Sequence, residues 1–249
     1  MEWDRELTDE LADRLWQEPD CLIGLGTPVS AGDRCTVVRL VWPHRETPTG
    51  REKRTIAHPS DAAGQGASAD RVAPVMKSTY ALKRFNLRGP LHTMVHWLLP
   101  TRARRGWRFG RQLRRAGIAT PRPWAYAENR LGPLRFTAYL LTEYVVGEAF
   151  QRWIDHPDQH SASEWEDVAA EFGRFWRRME ELQLVHGDMK GTNFVIDADR
   201  NVWVLDLDSM RRCVSSWDFA RARARDWARF VRNFGDRRDL IGLFQRHVR

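Results

Sequence analysis

Cysteine is scarce in this chain. Cys21, Cys35 and Cys213 are odd in number and far apart, which excludes a disulfide framework and a cysteine-based metal site. Reduced, mostly buried thiols are expected. Long apolar runs are missing as well: none approaches the ~20 residues that span a bilayer, and the first residues are acidic where a secretory leader would be basic. The chain therefore reads as cytoplasmic, in solution or bound peripherally to a membrane. Acidic residues are absent between Asp70 and Glu128, an interval that holds thirteen Lys or Arg. Basic faces of this kind bind anionic lipid, nucleic acid or phosphorylated substrates. Large apolar residues are nearly absent from Pro43 to about Met76, which predicts a disordered insertion between strands.

What is present begins with length: 249 residues suffice for one large domain or a close pair of lobes around a packed core. The formal charge of +7 is unevenly spread, with eight acids and two arginines in residues 1 to 20. Trp3, Leu7, Leu11 and Leu15 recur every fourth position, so a helix is predicted over 3–17, ended by Pro19. Its acidic outer face would suit docking on the basic segment that follows. Cys35 to Trp42 is β-rich and preceded by a tight turn at Ser30 to Arg34 in which only Gly32 is a glycine; Gly24 and Gly26 lie too far upstream to join it. Thr79 to Phe85 reads as a strand. Residues 101–116 read as a basic helix with Trp107, Gly110, Leu113 and Ala116 inward.

Strands are predicted at 124–128 and 134–143, the second closed by the Tyr144 to Gly147 turn. Ser161 and Glu164 form a capping box for the longest helix, whose apolar face is Trp165, Val168, Phe172, Phe175, Trp176, Met179 and Leu182. Two final helices are expected over 216–233, with Ala220, Trp227, Phe230 and Val231 inward, and 238–247.

The stretch that carries chemistry is Val185-His186-Gly187-Asp188-Met189-Lys190-Gly191-Thr192-Asn193, followed by strands at 194–197 and 202–205, a turn at 198–201, and Asp206 and Asp208. Such a hairpin places the polar clusters before its first strand and after its second at one end. Asp188, Asn193 and Asp206 can then converge as phosphoryl transfer requires, one carboxylate orienting a hydroxyl while an amide oxygen and a second carboxylate hold Mg²⁺. Lys190 could reach the transferred group. His186 reads as a structural hydrogen-bonder.

The HGDxKxxN pattern, two strands and a following Asp resemble the catalytic loop and metal motif of the protein-kinase-like superfamily. With Tyr80 to Asn86, Arg111 to Pro123, Leu134 to Gly147 and Trp203 to Asn233, the chain resembles the lipopolysaccharide kinases of Gram-negative bacteria, which phosphorylate Kdo or heptose. The resemblance implies an α+β fold with two lobes in one domain over 1–249: an N-lobe about 20–144 and a small, shortened C-lobe about 147–249. It implies ATP and Mg²⁺ as cofactors, with Asp188 as catalytic base beside Lys190, Asn193 and Asp206 as metal ligands, and Lys83 as the ATP lysine. Ala81, Gly32, Glu143 and Val145 complete the implied nucleotide contacts, the last two at the hinge.

The implied partners are a core sugar or other hydroxyl acceptor and an anionic surface at the inner membrane, met by Arg102, Arg104, Arg105, Arg108 and Arg111 on one helix and by Arg221, Arg225, Arg229 and Arg232 on another. Nucleic acid is not expected. Three features depart from kinases: the basic helix has no glutamate to pair with Lys83 and carries Gly106 near that place, the first hairpin is poor in glycine, and the Ala-Pro-Glu platform for peptides is missing. Lys83 must then be positioned otherwise, by Asp206 itself, or the site is impaired. A RIO-like protein kinase, an aminoglycoside- or choline-type kinase and an inactive pseudokinase share parts of the pattern.

Overall fold

The computed structural model describes residues 1–32, 35–45, 75–86, 100–131 and 134–248. Apolar side chains gather in two main places, one against an antiparallel sheet and one among helices.

The helix expected over 3–17 is divided. Glu2–Trp3 form a short strand, β1, and the helix α1 is Asp9–Gln17. Leu7, Leu11 and Leu15 are buried as predicted, but Trp3 is half exposed. The cause is electrostatic: Arg122 pairs with Asp4 at 3.0 Å and Glu6 at 2.7 Å, and the Asp4 amide donates to the Trp124 carbonyl at 2.6 Å. These contacts hold residues 2 to 6 extended along the sheet. The acidic N-terminus thus docks on a basic residue, through the segment before the helix. Pro19 does not simply stop α1; it opens the next helix, α2 (Pro19–Leu25), where its missing N–H costs nothing. Cys21 on α2 is exposed and Cys35 partly buried, so only Cys213 is the buried thiol expected.

Four longer strands and one short one complete the first sheet: β2 (Thr27–Ala31), β3 (Cys35–Arg45), β4 (Val75–Phe85), β5 (Pro123–Leu131) and β6 (Leu134–Glu143). The order is β1-β5-β6-β4-β3-β2, antiparallel throughout. The ladder between β3 and β4 continues to Pro43↔Lys77 and Arg45↔Val75, so both ends of the predicted insertion are strand. Positions 46–74, the remainder of that prediction, lie outside the described residues.

The basic helix α3 (Arg102–Arg115) packs on this sheet. Thr101 caps it by accepting the Arg104 amide at 3.2 Å. Its inner face is Ala103, Gly106, Trp107, Gly110 and Leu113; Ala116, predicted inward, is only partly buried at the C-cap. Trp107 meets Tyr126 at 5.4 Å between ring centroids.

The helical half contains α4 (Phe150–Asp155), α5 (Ala162–Glu181), α6 (Ser216–Val231) and α7 (Arg238–Val248). The capping box forms as predicted, and α5 buries the expected face from Trp165 to Met179. Aromatic rings fill this core, with Phe172 stacked on Phe230 at 4.0 Å and Phe150, Phe194 and Phe244 around them. On α6 the buried face is Phe219, Ala222, Asp226 and Phe230; of the residues predicted inward, Phe230 is buried, Trp227 and Val231 are partly buried, and only Ala220 is exposed. Short strands organise the loops: β7 (Glu148–Ala149) pairs with β9 (Phe194–Ile196), β9 with β10 (Val202–Val204), and β8 (Leu184–Val185) with β11 (Arg211–Arg212). Among the described residues, no helix is long and apolar enough to cross a membrane.

Candidate active site

The β9–β10 hairpin is one residue shorter at each strand end than predicted, and it does what the sequence implied. Asp197 pins its turn by accepting from the Asn201 amide at 2.9 Å and from Trp203 Nε1 at 2.8 Å. At the other end the Leu205 amide donates to the Asn193 carbonyl at 2.8 Å, which ties the residue entering the hairpin to the segment leaving it. Asn193 and Asp206 are thereby brought to one place. Asp206 adopts a left-handed conformation, φ 55° and ψ 56°, that Asp tolerates better than most residues.

Asp188 is fixed from several sides. Asn193 Nδ2 donates to its carbonyl at 2.8 Å and to its Oδ2 at 3.3 Å. Lys190 Nζ lies 3.0 Å from Oδ2, and Arg229 reaches Oδ1 at 3.4 Å. His186 is fully buried; its Nδ1 accepts the Asp188 amide at 3.2 Å, so its proton sits on Nε2 and is donated to the Leu205 carbonyl at 2.9 Å. That is the structural role the sequence indicated. Gly187 has φ +80°, and a Cβ there would stand 2.8 Å from the Ser209 carbonyl oxygen, so this turn requires glycine. Beneath it the buried Asp226 carboxylate accepts the His186 amide at 2.8 Å and the Gly187 amide at 3.0 Å.

Lys83 crosses from β4 to this loop. Its Nζ is 2.6 Å from Asp206 and 3.5 Å from Asp208, whose carboxylate also meets Arg102 at 2.9 Å. Burial lowers the Lys83 pKa, but the two carboxylates outweigh it and leave it raised. Burial likewise raises Asp206, and the Lys83 ammonium overcomes that to hold it below the usual carboxylate range. Asp208 is pushed up by burial first and by the neighbouring Asp206 charge, against the pull of Lys83.

Two cavities meet at these residues. One, of about 610 Å³, is mostly apolar and lies under the sheet, lined by Val37, Ala81, Leu140 and Val145 with Lys83, Asn193 and Asp206 at its polar end. The other, of about 600 Å³, is polar and lined by Arg102, Asp188, Lys190, Arg229 and Arg232. Of the sequence-predicted residues, Asp188, Lys190, Asn193, Asp206 and Lys83 are thus brought together, and Ala81, Glu143 and Val145 line the apolar cavity. Glu143 turns its carboxylate to the Arg122 amide at 3.0 Å and to Arg114, and its own amide donates to the Arg122 carbonyl at 2.8 Å. Gly32 does not line it: its amide closes the turn on the Cys35 carbonyl at 3.0 Å, and a bulge in β2 presents Val29 and Ser30 there.

The donor set suits a nucleotide with a divalent cation. The Asn193 amide nitrogen is spent on Asp188, which leaves its Oδ1 for a hard cation beside Asp206. Among the described residues no group of three or more His, Cys, Asp or Glu could hold a metal by itself. A cation here would need phosphate oxygens to complete its shell, the usual situation for nucleotide-bound Mg²⁺. Asp208 and Asp226 carry no site role in the sequence reading, and Arg229 is expected there only as part of the cationic field toward acceptor and membrane. Asp208 follows the metal motif at a spacing of two, and Asp226 is the one acid on the buried face of α6, signals that mean little until the partners are placed.

This mixed helix and antiparallel-sheet architecture, with carboxylates, an amide and a buried lysine converging between two cavities, is consistent with a kinase-like class. Residues 77–246 match the lipopolysaccharide kinase (Kdo/WaaP) family, and the chain belongs to it. It is similar to proteins named 3-deoxy-D-manno-octulosonic acid kinase from three organisms. The identities are 27% over 117 residues for Photobacterium damsela subsp. piscicida (47% of this chain, 45% of the relative), 28% over 138 for Vibrio vulnificus (53% and 56%) and 27% over 137 for Actinobacillus succinogenes (54% of each). The chain thus spans about half the length of these relatives.

Proposed function

We propose that the protein is an ATP-dependent phosphotransferase of two-lobed, kinase-like design, with a shortened helical lobe, acting on a sugar hydroxyl of the lipopolysaccharide inner core. The relatives' names favour Kdo as the acceptor over heptose. The observation that carries this reading is that Asp188 lines a cation-rich cavity and Asp206 an apolar one, the two linked through Asn193, which bonds Asp188 and lines the apolar cavity. Bound ATP would supply the phosphoryl group and Mg²⁺ the neutralisation of its charge. Ala81 and Val145 would face the base, Lys83 the phosphates, and Asn193 with Asp206 the metal. Asp188 would orient the acceptor hydroxyl and take its proton as the new O–P bond forms and the bond from the γ-phosphorus to the bridging oxygen breaks, releasing ADP, while Lys190 offsets charge on the transferred group.

The cationic cavity favours an anionic sugar over a peptide or a cationic small molecule. The acidic partners of Lys83 answer the absence of a helix glutamate, which favours an active enzyme over a pseudokinase. For the membrane side, Trp217, Arg221, Arg225 and Arg229 recur every fourth residue on α6 and so share a face. Trp217 and the neighbouring Val214 are 71% and 96% exposed, Arg221 lies over the Trp217 ring at 5.5 Å, and Arg229 is at Asp188. This stripe suits an anionic bilayer that presents the acceptor to the site.

The reading is tested by phosphate transfer from ATP to lipopolysaccharide inner core with purified Asp188→Ala and Asp206→Ala proteins. Each should lose ~10²-fold or more in turnover in protein that remains folded, with Asp206→Ala melting below the parent because buried Lys83 keeps only the Asp208 carboxylate. Near-normal turnover in either variant overturns the assignment.

A further inference from the structure

Lys83 is a buried cation whose expected helix partner does not exist. No acid occurs anywhere along α3, and the residue facing the sheet at its middle is Gly106, where even a Cβ would come within 2.9 Å of Leu140 Cδ2. A lysine side chain with 15% exposure is not held as an ion without opposite charge beside it. Asp206 supplies one carboxylate, but under the proposed function that group is also committed to the metal. Asp208 supplies the other, with its side chain only 2% exposed.

Asp208 is in turn held from α3. Arg102, in the first turn of that helix, donates to the two Asp208 oxygens at 2.9 and 3.2 Å, and Ser209 Oγ donates to one of them at 3.3 Å. The Lys83 ammonium and the Arg102 guanidinium also lie over the same Phe85 ring, at 5.0 and 5.2 Å from its centroid. The helix therefore reaches the lysine through a chain of alternating charge: arginine on α3, aspartate after β10, lysine on β4. Arg102 has a second exposure, because it also lines the polar cavity with Lys190 and Arg229.

We infer that Arg102 and Asp208 together replace the missing helix glutamate as positioning residues for Lys83, and that Arg102 couples the nucleotide lysine to an anionic group in the acceptor cavity. The inference rests on the proposed phosphotransferase reading and adds the route by which the two cavities communicate. If Asp208 merely pinned α3 to the loop, its loss would lower the melting temperature and leave nucleotide affinity unchanged in the folded protein. If it positions Lys83, nucleotide affinity falls in protein that remains folded.

The test uses Asp208→Asn, Arg102→Ala, Arg102→Lys and the Asp208→Asn/Arg102→Ala double variant of the full chain. Binding of ATP with Mg²⁺ is measured by calorimetry without acceptor, KM for the inner-core acceptor in turnover, and folding by thermal melting. Asp208→Asn should weaken nucleotide binding about tenfold and Arg102→Ala several-fold, with the double variant no weaker than Asp208→Asn, because residues acting through one another are not additive. Arg102→Ala should also raise the acceptor KM about tenfold, with Asp208→Asn raising it less, and Arg102→Lys should recover part of both losses.

Additive effects in the double variant, or unchanged nucleotide affinity in folded single variants, overturn the inference. So does tighter nucleotide binding by Asp208→Asn, which would mean that the carboxylate acts only by repelling phosphate. If Asp208→Asn fails to fold, the two Arg102 variants still decide, since a purely structural arginine predicts parental nucleotide affinity. A parent protein that binds no nucleotide defeats the proposed function itself; a parent that binds and turns over with indifferent variants defeats only this inference.

Discussion

Removing the Asp226 carboxylate is the most direct perturbation of the His186–Asn193 loop that leaves every residue of the loop in place. Asp226 is buried on α6 and accepts the His186 amide at 2.8 Å and the Gly187 amide at 3.0 and 3.2 Å. Hydrogen bonds to a charged acceptor contribute about 1.5–3 kcal/mol each, and their loss leaves the amide of fully buried His186 without a partner, while that of exposed Gly187 is left to water. Against this, the chain no longer desolvates a carboxylate. The balance for Asp226→Ala is a loss of about 3–5 kcal/mol, a large part of the 5–15 kcal/mol typical of a domain. Asp226→Asn keeps one acceptor oxygen and should lose about 1–2 kcal/mol. Urea unfolding at equilibrium measures both, and hydrogen exchange at His186 and Gly187 reports the loop directly. Arg229 still grips the Gly187 carbonyl, so the loop should loosen without leaving the site. A loss below about 1 kcal/mol in the Ala variant, or an Asn variant as damaged as the Ala one, would refute the reasoning.

Two further outcomes follow from surface groups. Replacing Trp217 and Val214 together by serine should abolish most binding to vesicles of anionic lipid while leaving turnover on a soluble acceptor fragment unchanged; equal binding of parent and variant in cosedimentation would remove α6 from the membrane face. The Arg211 guanidinium, which donates to both Asp218 carboxylate oxygens, at 2.5 and 2.7 Å, depresses that carboxyl to about 2. A depressed acid stabilises the fold above the ordinary carboxylate pKa and loses that contribution as pH falls toward its folded value. The melting-temperature gap between parent and Asp218→Asn should therefore be full at pH 5 and shrink between about pH 4 and pH 2; a constant gap would show that the pair contributes nothing through ionisation.

The site was legible where local chemistry dictates position. Asn193 and Asp206 converge because a short apolar hairpin with a polar turn can form only one way, and Asp188 follows at a fixed distance along the chain. Lys83 was found from its strand and its order before the loop. What escaped depends on partners far away in sequence. The periodicity of Trp3 with Leu7, Leu11 and Leu15 is real, yet Arg122, more than a hundred residues later, draws Asp4 and Glu6 into an extended path. Asp226 was invisible because an acid among arginines reads as solvent-facing. Its need to reach the His186 and Gly187 amides, with Phe219 and Ala222, turns α6 so that Ala220 is outside. Gly32 is not among the residues lining the apolar cavity, where Val29 and Ser30 stand beside a bulge between Pro28 and Ser30 that the sequence does not signal.

The distribution of charge takes on a different meaning once the pairs are known. Among the described residues, the acid-free stretch from Arg71 to Ala127 does not form one basic face. Arg84 meets Asp20, Arg122 meets Asp4 and Glu6, and Arg114 meets Glu143, so the acids of the N-terminal segment neutralise one side of the sheet. Lys83 and Arg102 are turned to Asp206 and Asp208. Among the described residues no acid lies within ion-pair distance of Arg104, Arg105, Arg108 or Arg111 on α3, of Arg221 or Arg225 on α6, or of Arg232 at its C-cap. Those two helices contribute Arg102, Arg229 and Arg232 to the same polar cavity. Uncompensated positive charge is therefore concentrated on the two helices that border Asp188, where it can raise the local concentration of an anionic substrate and fade with salt over about 8–10 Å. A charge kept only for solubility would gain nothing from N-terminal acids that cancel it on the sheet and spare it beside the catalytic loop.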